Sequence, residues 1–349
     1  MFVGIDAHKH VHVAALVDEA GGELGVLAVP NSRHGACRLN AWLTGHGVQK
    51  AVVGVEGAGH YGRVLCLVLS AHGHHVLDVP PWRTRRDRRT QGPGKTDAGD
   101  ARAIAQVVRL KQVELGPALE PDLVRAVGLL ELARRQAVRD RTQAIQRLRS
   151  IWLQVDPESE REVVHCQRQK VLRRLRRIDM GDDLAGQAAT RCIRELATDI
   201  ERLNDRIATL DRELAELIAR HGNPVADLFG AGPTVAAALI AQAGDVRRFR
   251  DAAAFARFSG TAPVPCGSGM TAGRHRLYRG GNRQLNAALY RIALVQARDD
   301  PTARRFLARK VSEGKTPREA GRALQRHLSN VVYRRLRTWA ESALIANSG

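Results

Sequence analysis

MFVGIDAHKHVHVAALVDEAGGELGVLAVPN, residues 1–31, reads as three strands before any helix. MFVGIDAH is an apolar strand that runs into an acid, and HVHVAALVDEAGGELGVLAVPN is a pair of strands turning at Gly21-Gly22. Working outward, a helix is predicted from Ser32 to Leu43, a buried apolar strand over AVVGVEG (51–57), a helix over GRVLCLVLSAHG (62–73) and a short strand over HHVLDVP (74–80).

This order, three strands and then alternating helix and strand, is the ribonuclease-H-like layout. A mixed sheet carries helices on its faces and presents acidic side chains from its strand ends. Asp6 ends the strand in VGID and Glu56 ends the one in VVGVE. DAGDARAIAQVVRL reads as a helix starting near Asp97, so Asp97 and Asp100 share one face of its first turn, where the helix dipole favours anions. Four carboxylates from three segments can thus converge on one point. Such an oxygen-ligand set suits Mg²⁺ and phosphoryl transfer. Taken singly, Asp97 serves equally as an N-cap, and Asp6 and Glu56 as strand ends beside water. His8, His10 and His12 alternate and would share one strand face, but the adjacent acids suit Mg²⁺ better than zinc. Lys9 and Lys95 lie near the carboxylates in sequence and can touch phosphate.

At 349 residues and 44% apolar, the chain is long enough for two or three domains. Lys and Arg outnumber Asp and Glu by 55 to 36, giving a formal charge of +19 that points to a polyanionic partner, nucleic acid first. No stretch of about 18 apolar residues appears and the N-terminus lacks the apolar core of a signal peptide, so a soluble, cytoplasmic protein with no membrane partner is expected. The five cysteines are scattered and never form CxxC, which supports neither a disulfide framework nor a zinc knuckle.

PWRTRRDRRTQGPGKT (81–96) interrupts the α/β pattern as a loop, and Arg83, Arg85, Arg86, Arg88, Arg89 and Lys95 are candidates for nucleic-acid phosphates. From about 124 to 222 the sequence is helical, with a break near VDPES (155–159). Ile193, Leu196, Ile200, Leu203, Ile207, Leu210, Leu214 and Leu217 form a heptad seam, read as a dimerising coiled coil or as a long helix packed within its own domain. Beyond HGNP (221–224), LFGAGPTVAAALIAQAGDVRRF (228–249) reads as a helix-hairpin-helix phosphate clamp through Gly230 and Gly232, or as a glycine-capped turn between packed helices. PCGSGMTAGRHRLYRGGN (265–282) places Ser268 between two glycines, with Arg274, His275, Arg276, Arg279 and Arg283 following. On local physics this is either a passive phosphate loop or a nucleophile whose base is not adjacent in sequence.

GIDAHK (4–9), VGVEGAG (53–59), KTDAGDA (95–101), LFGAGPTVAAALIAQAGD (228–245) and FSGTAPVPCGSGMTAGRHRLYRGGNRQLNAALY (258–290) together resemble the DEDD-type insertion-sequence transposases, bridge-RNA-guided serine recombinases, over nearly the full length. The resemblance implies a RuvC-like domain (1–115) whose tetrad Asp6, Glu56, Asp97 and Asp100 binds Mg²⁺. It also implies a helical coiled-coil region (116–222) and a mostly helical transposase domain (223–349) with Ser268 as nucleophile. Ser259 precedes the motif's proline and reads as structural. A covalent serine–phosphate DNA intermediate is implied, completed across subunits of a homo-oligomer, dimer or tetramer. A bridge RNA would direct the chain to target and donor DNA. Cys266, two positions before the serine, departs from the family pattern. Other readings of the same residues are a RuvC-like nuclease or junction resolvase in which Ser268 only binds phosphate, and a non-catalytic nucleic-acid scaffold.

Overall fold

The computed structural model describes residues 1–81, 83–84, 96–265, 275–278 and 280–346. The chain divides into two compact units, one of residues 1–122, 245–257 and 340–349, the other of 123–244 and 258–339.

The first unit is built on a sheet. Strands β1 (Phe2–Ala7), β2 (Val11–Val17) and β3 (Glu23–Pro30) precede helix α1 (Arg33–Gly45); then come β4 (Val52–Glu56), α2 (Arg63–Ala71), β5 (His75–Asp78), α3 (Asp97–Lys111) and a two-residue strand, β6 (Gly116–Pro117). The strand order is β3-β2-β1-β4-β5-β6. β1, β2 and β3 pair antiparallel, β1, β4 and β5 run parallel, and β6 pairs antiparallel to β5. This is the ribonuclease-H-like arrangement expected from the sequence, with β6 an addition too short for any periodicity to show.

The strands alternate between two packed faces. Val3, Ile5, Val53 and Val55 are fully buried with Leu39 and Leu43 of α1 and Leu65 and Leu69 of α2; full burial of each such side chain contributes about 1.5–3 kcal/mol. The opposite face carries α3, which packs through small residues. A Cβ on Gly4 would lie 2.1 Å from Ala105 N and 2.2 Å from Ala101 O, so the α3 backbone rests directly on β1. Gly54 makes the same allowance on β4, where a Cβ would meet Val108 Cγ2 at 2.1 Å. At its far end α3 is held by Gln106 Nε2, which donates to Gly21 O at 2.9 Å, and by Arg109 Nη1, which donates to Glu19 O at 3.2 Å. Residues 245–257 join this unit: Gly116 of β6 leaves room for Arg248, and burial holds the Arg248 guanidinium below its usual pKa despite the charges of Asp78 and Glu120.

The second unit is helical. It contains nearly all of α4 (Asp122–Val155), then α5 (Gln169–Leu175), α6 (Leu184–Arg220) and α7 (Pro233–Ala243). After the short α8 (Ala252–Phe258) come a hairpin of β7 (Pro263–Pro265) and β8 (His275–Leu277), and helices α9 (Arg283–Asp299), α10 (Pro301–Ser312) and α11 (Pro317–Ala346). Helix α4 ends at Val155, at the break expected near VDPES. Helix α6 carries the heptad seam. Arg134 pairs with Asp211, Ala137 packs with Leu203 and Ile207, and Arg141 Nη1 donates to Asn204 Oδ1 at 3.0 Å, so α4 and α6 run antiparallel. Ile193 and Ile200 are buried in a core with Leu148, Trp152, Leu172 and Leu175. Most of the seam is therefore covered by the chain's own helices, the second of the two arrangements the sequence allowed, while Leu196, Leu210 and Leu217 stay half-buried. Among the described residues no helix is long and apolar enough to cross a membrane.

Candidate functional site

The two-residue period that sets Gly4 against α3 also aims Asp6 toward that helix, and Gly54 does the same for Glu56. Asp6 and Glu56 face each other in register at the ends of adjacent parallel strands. Thr96 caps α3, its Oγ1 accepting from Gly99 N at 3.1 Å, so the N-cap role considered for Asp97 falls to its neighbour and leaves that carboxylate exposed in the first turn. Asp100, also in that turn, is buried. The close packing of Ala101 and Ala105 on Gly4 holds this end of the helix beside the strand ends.

The electrostatics reflect the crowding. Asp6 is 5% exposed, and its carboxyl is pushed above the ordinary range, first by burial, against which the His8 charge and hydrogen bond act, and also by the negative charges of Glu56 and Asp100. His8 lies just beyond β1, with Nε2 3.0 Å from Asp6 Oδ2 and 3.7 Å from Asp97 Oδ1. Thr84 is fully buried, and its hydroxyl donates to Glu56 Oε2 at 3.2 Å. A half-buried group of carboxylates whose mutual repulsion raises a pKa fits a hard divalent cation, which offsets that repulsion and takes oxygen ligands. The four carboxylates expected from the sequence therefore come from the three segments named for them and gather at one end of the sheet.

The histidines do not behave as a set. His8 belongs to the turn that faces the carboxylates, whereas His12 is fully buried in β2, opposite Ala7 and on the other face of the sheet. The expectation that His8, His10 and His12 share one strand face is corrected by the turn between Ala7 and Val11. Burial lowers the His12 pKa, so its ring is held neutral.

Ser268 lies outside the described residues, as do Arg85, Arg86, Arg88, Arg89, Lys95, Arg274 and Arg279; Arg276 is described in its backbone alone. Arg83 is engaged within the first unit, Nη1 donating to Glu114 Oε2 at 2.5 Å. Arg283 is exposed at the first residue of α9. Gly230 has φ +85° and is pressed against α9, where a Cβ would sit 3.2 Å from Val295 Cβ; Gly232 is the N-cap of α7. Of the stretch 228–249 read as a phosphate clamp, residues 228–244 with α7 belong to the second unit and 245–249 to the first.

The base of the hairpin that bears Ser268 is described, and it is a buried polar network that sequence reasoning missed. Asn286 Nδ2 donates to Ser259 O at 2.9 Å, and Gln325 Nε2 donates to Asn286 O at 3.1 Å. Asn282 caps α9 and donates from Nδ2 to Gln242 Oε1 at 3.1 Å. Ser259 has no exposure and lies 2.9 Å from Thr261 Oγ1 and 3.3 Å from Ser329 Oγ, which puts it out of reach of a DNA phosphate. Its structural role, read from its position before the proline, follows from that burial.

A sheet with carboxylates at the ends of β1 and β4, completed by a helix laid across two glycines, defines a candidate metal centre of the ribonuclease-H-like class. Residues 3–157 match a family model described as a transposase of the DEDD, IS110 type, and residues 223–308 match the model of the transposase IS116/IS110/IS902 family. The 44.8 kDa protein of insertion element IS116 from Streptomyces clavuligerus is 28% identical over 97% of this chain and 94% of its own length. The 42 kDa protein of IS900 from Mycobacterium paratuberculosis is 28% identical over 97% and 96%. The mini-circle putative transposase for IS117 from Streptomyces coelicolor is 26% identical over 95% and 91%. Among solved structures, Thermus thermophilus RuvC bound to a Holliday junction is 17% identical and aligns with 34% of this chain and 99% of its own, at a TM-score of 0.26. This chain belongs to the IS110/IS116/IS902 transposase family.

Proposed function

We propose that the chain cuts and rejoins DNA through a covalent Ser268–phosphate intermediate, with Mg²⁺ held by Asp6, Glu56, Asp97 and Asp100. The observation that carries this reading is the in-register placement of Asp6 and Glu56 beside Asp100 in a chain of this family. A divalent ion bound there supplies charge neutralisation at the phosphate oxygens. Ser268 Oγ is the incoming group: its bond to phosphorus forms as the phosphorus–oxygen bond to the deoxyribose breaks, the serine proton departs, and the leaving oxygen takes up a proton. The joint action of the carboxylates and Ser268 is assigned to a homo-oligomer, dimer or tetramer, in which one subunit's carboxylates complete another's serine site. Arg274, Arg276, Arg279 and Arg283 grip the strand being cut, Arg85, Arg86, Arg88, Arg89 and Lys95 meet backbone phosphates, and the turn at Gly230 and Gly232 offers backbone N–H groups to another. A bridge RNA supplies the choice of target and donor sequence, consistent with a basic chain in which base pairing rather than the protein reads the bases.

The test is an adduct assay with full-length protein, the element's RNA, Mg²⁺ and DNA spanning an element end. Wild type is expected to give a detergent-stable protein–DNA adduct that Ser268→Ala abolishes while DNA binding persists. An adduct that survives the change rejects the serine. Cleavage that survives without any adduct would instead favour a metal-dependent nuclease in which Ser268 only holds phosphate.

A further inference from the structure

We propose that His8 is itself a metal ligand, so that this site binds its divalent ion through a mixed nitrogen and oxygen set and favours Mn²⁺ over Mg²⁺ more than carboxylates alone would. The inference rests on reading the carboxylate cluster as a metal site and goes beyond the four acids.

Gly4, Asp6 and His8 are spaced by two, the strand period, and His8 continues the row that faces α3 one step beyond β1. The turn holding it is pinned: His8 N donates to Val11 O at 3.2 Å, Asn31 N to His10 O at 2.8 Å, and Asn31 Nδ2 to Lys9 O at 3.1 Å. The backbone therefore fixes where the imidazole emerges. Donor atoms of Asp6, His8 and Asp97 all lie within 4.8 Å of one another, with His8 Nε2 3.0 Å from Asp6 and 3.7 Å from Asp97. Ligands bound at about 2.1–2.2 Å on adjacent positions of an octahedral ion are separated by about 3 Å, so these spacings need only small side-chain adjustments to share one ion. His8 is half-exposed and can turn to do so, exchanging its hydrogen bond to Asp6 for a bond from Nε2 to the ion.

Imidazole is a poor ligand for Mg²⁺ and a better one for first-row transition ions, which gives the preference for Mn²⁺. The measurement is pulsed electron paramagnetic resonance of Mn²⁺ added to the full-length protein, where an imidazole on the ion appears as ¹⁴N modulation of the spin echo. Thirteen histidines are present, so the assignment needs a variant. The modulation is expected in wild type and lost in His8→Ala, which should still bind Mn²⁺ through the carboxylates but roughly tenfold or more weakly, with its Mn²⁺ to Mg²⁺ preference reduced. Bound Mn²⁺ without ¹⁴N modulation in wild type, or modulation that persists in His8→Ala, overturns the role of His8 and leaves the carboxylate site standing. No Mn²⁺ binding by wild type overturns both readings.

Discussion

Asp6→Asn is expected to lower DNA strand cleavage by about three orders of magnitude or more and, without divalent cation, to raise the chain's thermal midpoint. The loss follows from the position of Asp6, a buried carboxylate facing Glu56 and within the field of Asp100. Charge stabilisation by a bound ion contributes several kcal/mol to phosphoryl transfer, and about 4 kcal/mol corresponds to about a thousandfold in rate. The gain in stability has the opposite origin. Burial raises the Asp6 pKa in the fold above the ordinary carboxyl value of 3.8. A carboxyl raised in this way binds its proton more tightly folded than unfolded, so stability is lost as pH rises from the ordinary carboxyl range through the folded pKa. At neutral pH the charged carboxylate is a cost to the metal-free fold, and the neutral, similarly shaped amide removes it. A cleavage assay paired with a melting curve reads both effects. Lost cleavage with a lowered midpoint would instead mean that Asp6 is a structural residue.

Gly4→Ala should be the most damaging single methyl group in the first unit. The added Cβ would stand 2.1 Å and 2.2 Å from backbone atoms of Ala105 and Ala101, and no rotamer change can relieve a clash with a helix backbone. Helix α3 would have to lift from β1, at a cost of about 3 kcal/mol, the upper end for overpacking. Asp97 and Asp100 ride on that helix, so Mn²⁺ affinity should fall together with the urea midpoint. Gly45→Ala is the control: nothing lies within 4 Å of its Cβ position in α1, and stability there should change by less than about 1 kcal/mol. Equal midpoints for the two variants would contradict the seating of α3 on the sheet.

Much of the first unit was legible because its signals are local and periodic. An acid closing an apolar strand is visible in VGID and VVGVE, and the strands and helices around them follow two-residue and helical periods. The glycines two positions before those acids were not legible as site features, since a glycine in a strand reads as a weakness until the helix lying on it is seen. Thr84 gave no signal beside a run of arginines, although its hydroxyl holds Glu56. The return of 245–257 to the first unit depends on the match between Arg248 and Gly116, which are far apart in sequence. The heptad seam was legible as a period but not as a partner, because a seam facing α4 of its own chain and one facing a second chain have the same spacing. The polar network under the hairpin is invisible for a related reason: Ser259, Asn286 and Gln325 are unremarkable residues until three-dimensional neighbours make them a cluster.

The centre of this reading is that Asp6, Glu56, Asp97 and Asp100 hold a divalent cation, and an anomalous difference map from a crystal of this chain grown with Mn²⁺ addresses it most directly. A peak is expected among those four carboxylates. A map in which Mn²⁺ sits elsewhere, or in which no peak appears at the ends of β1 and β4, would contradict it.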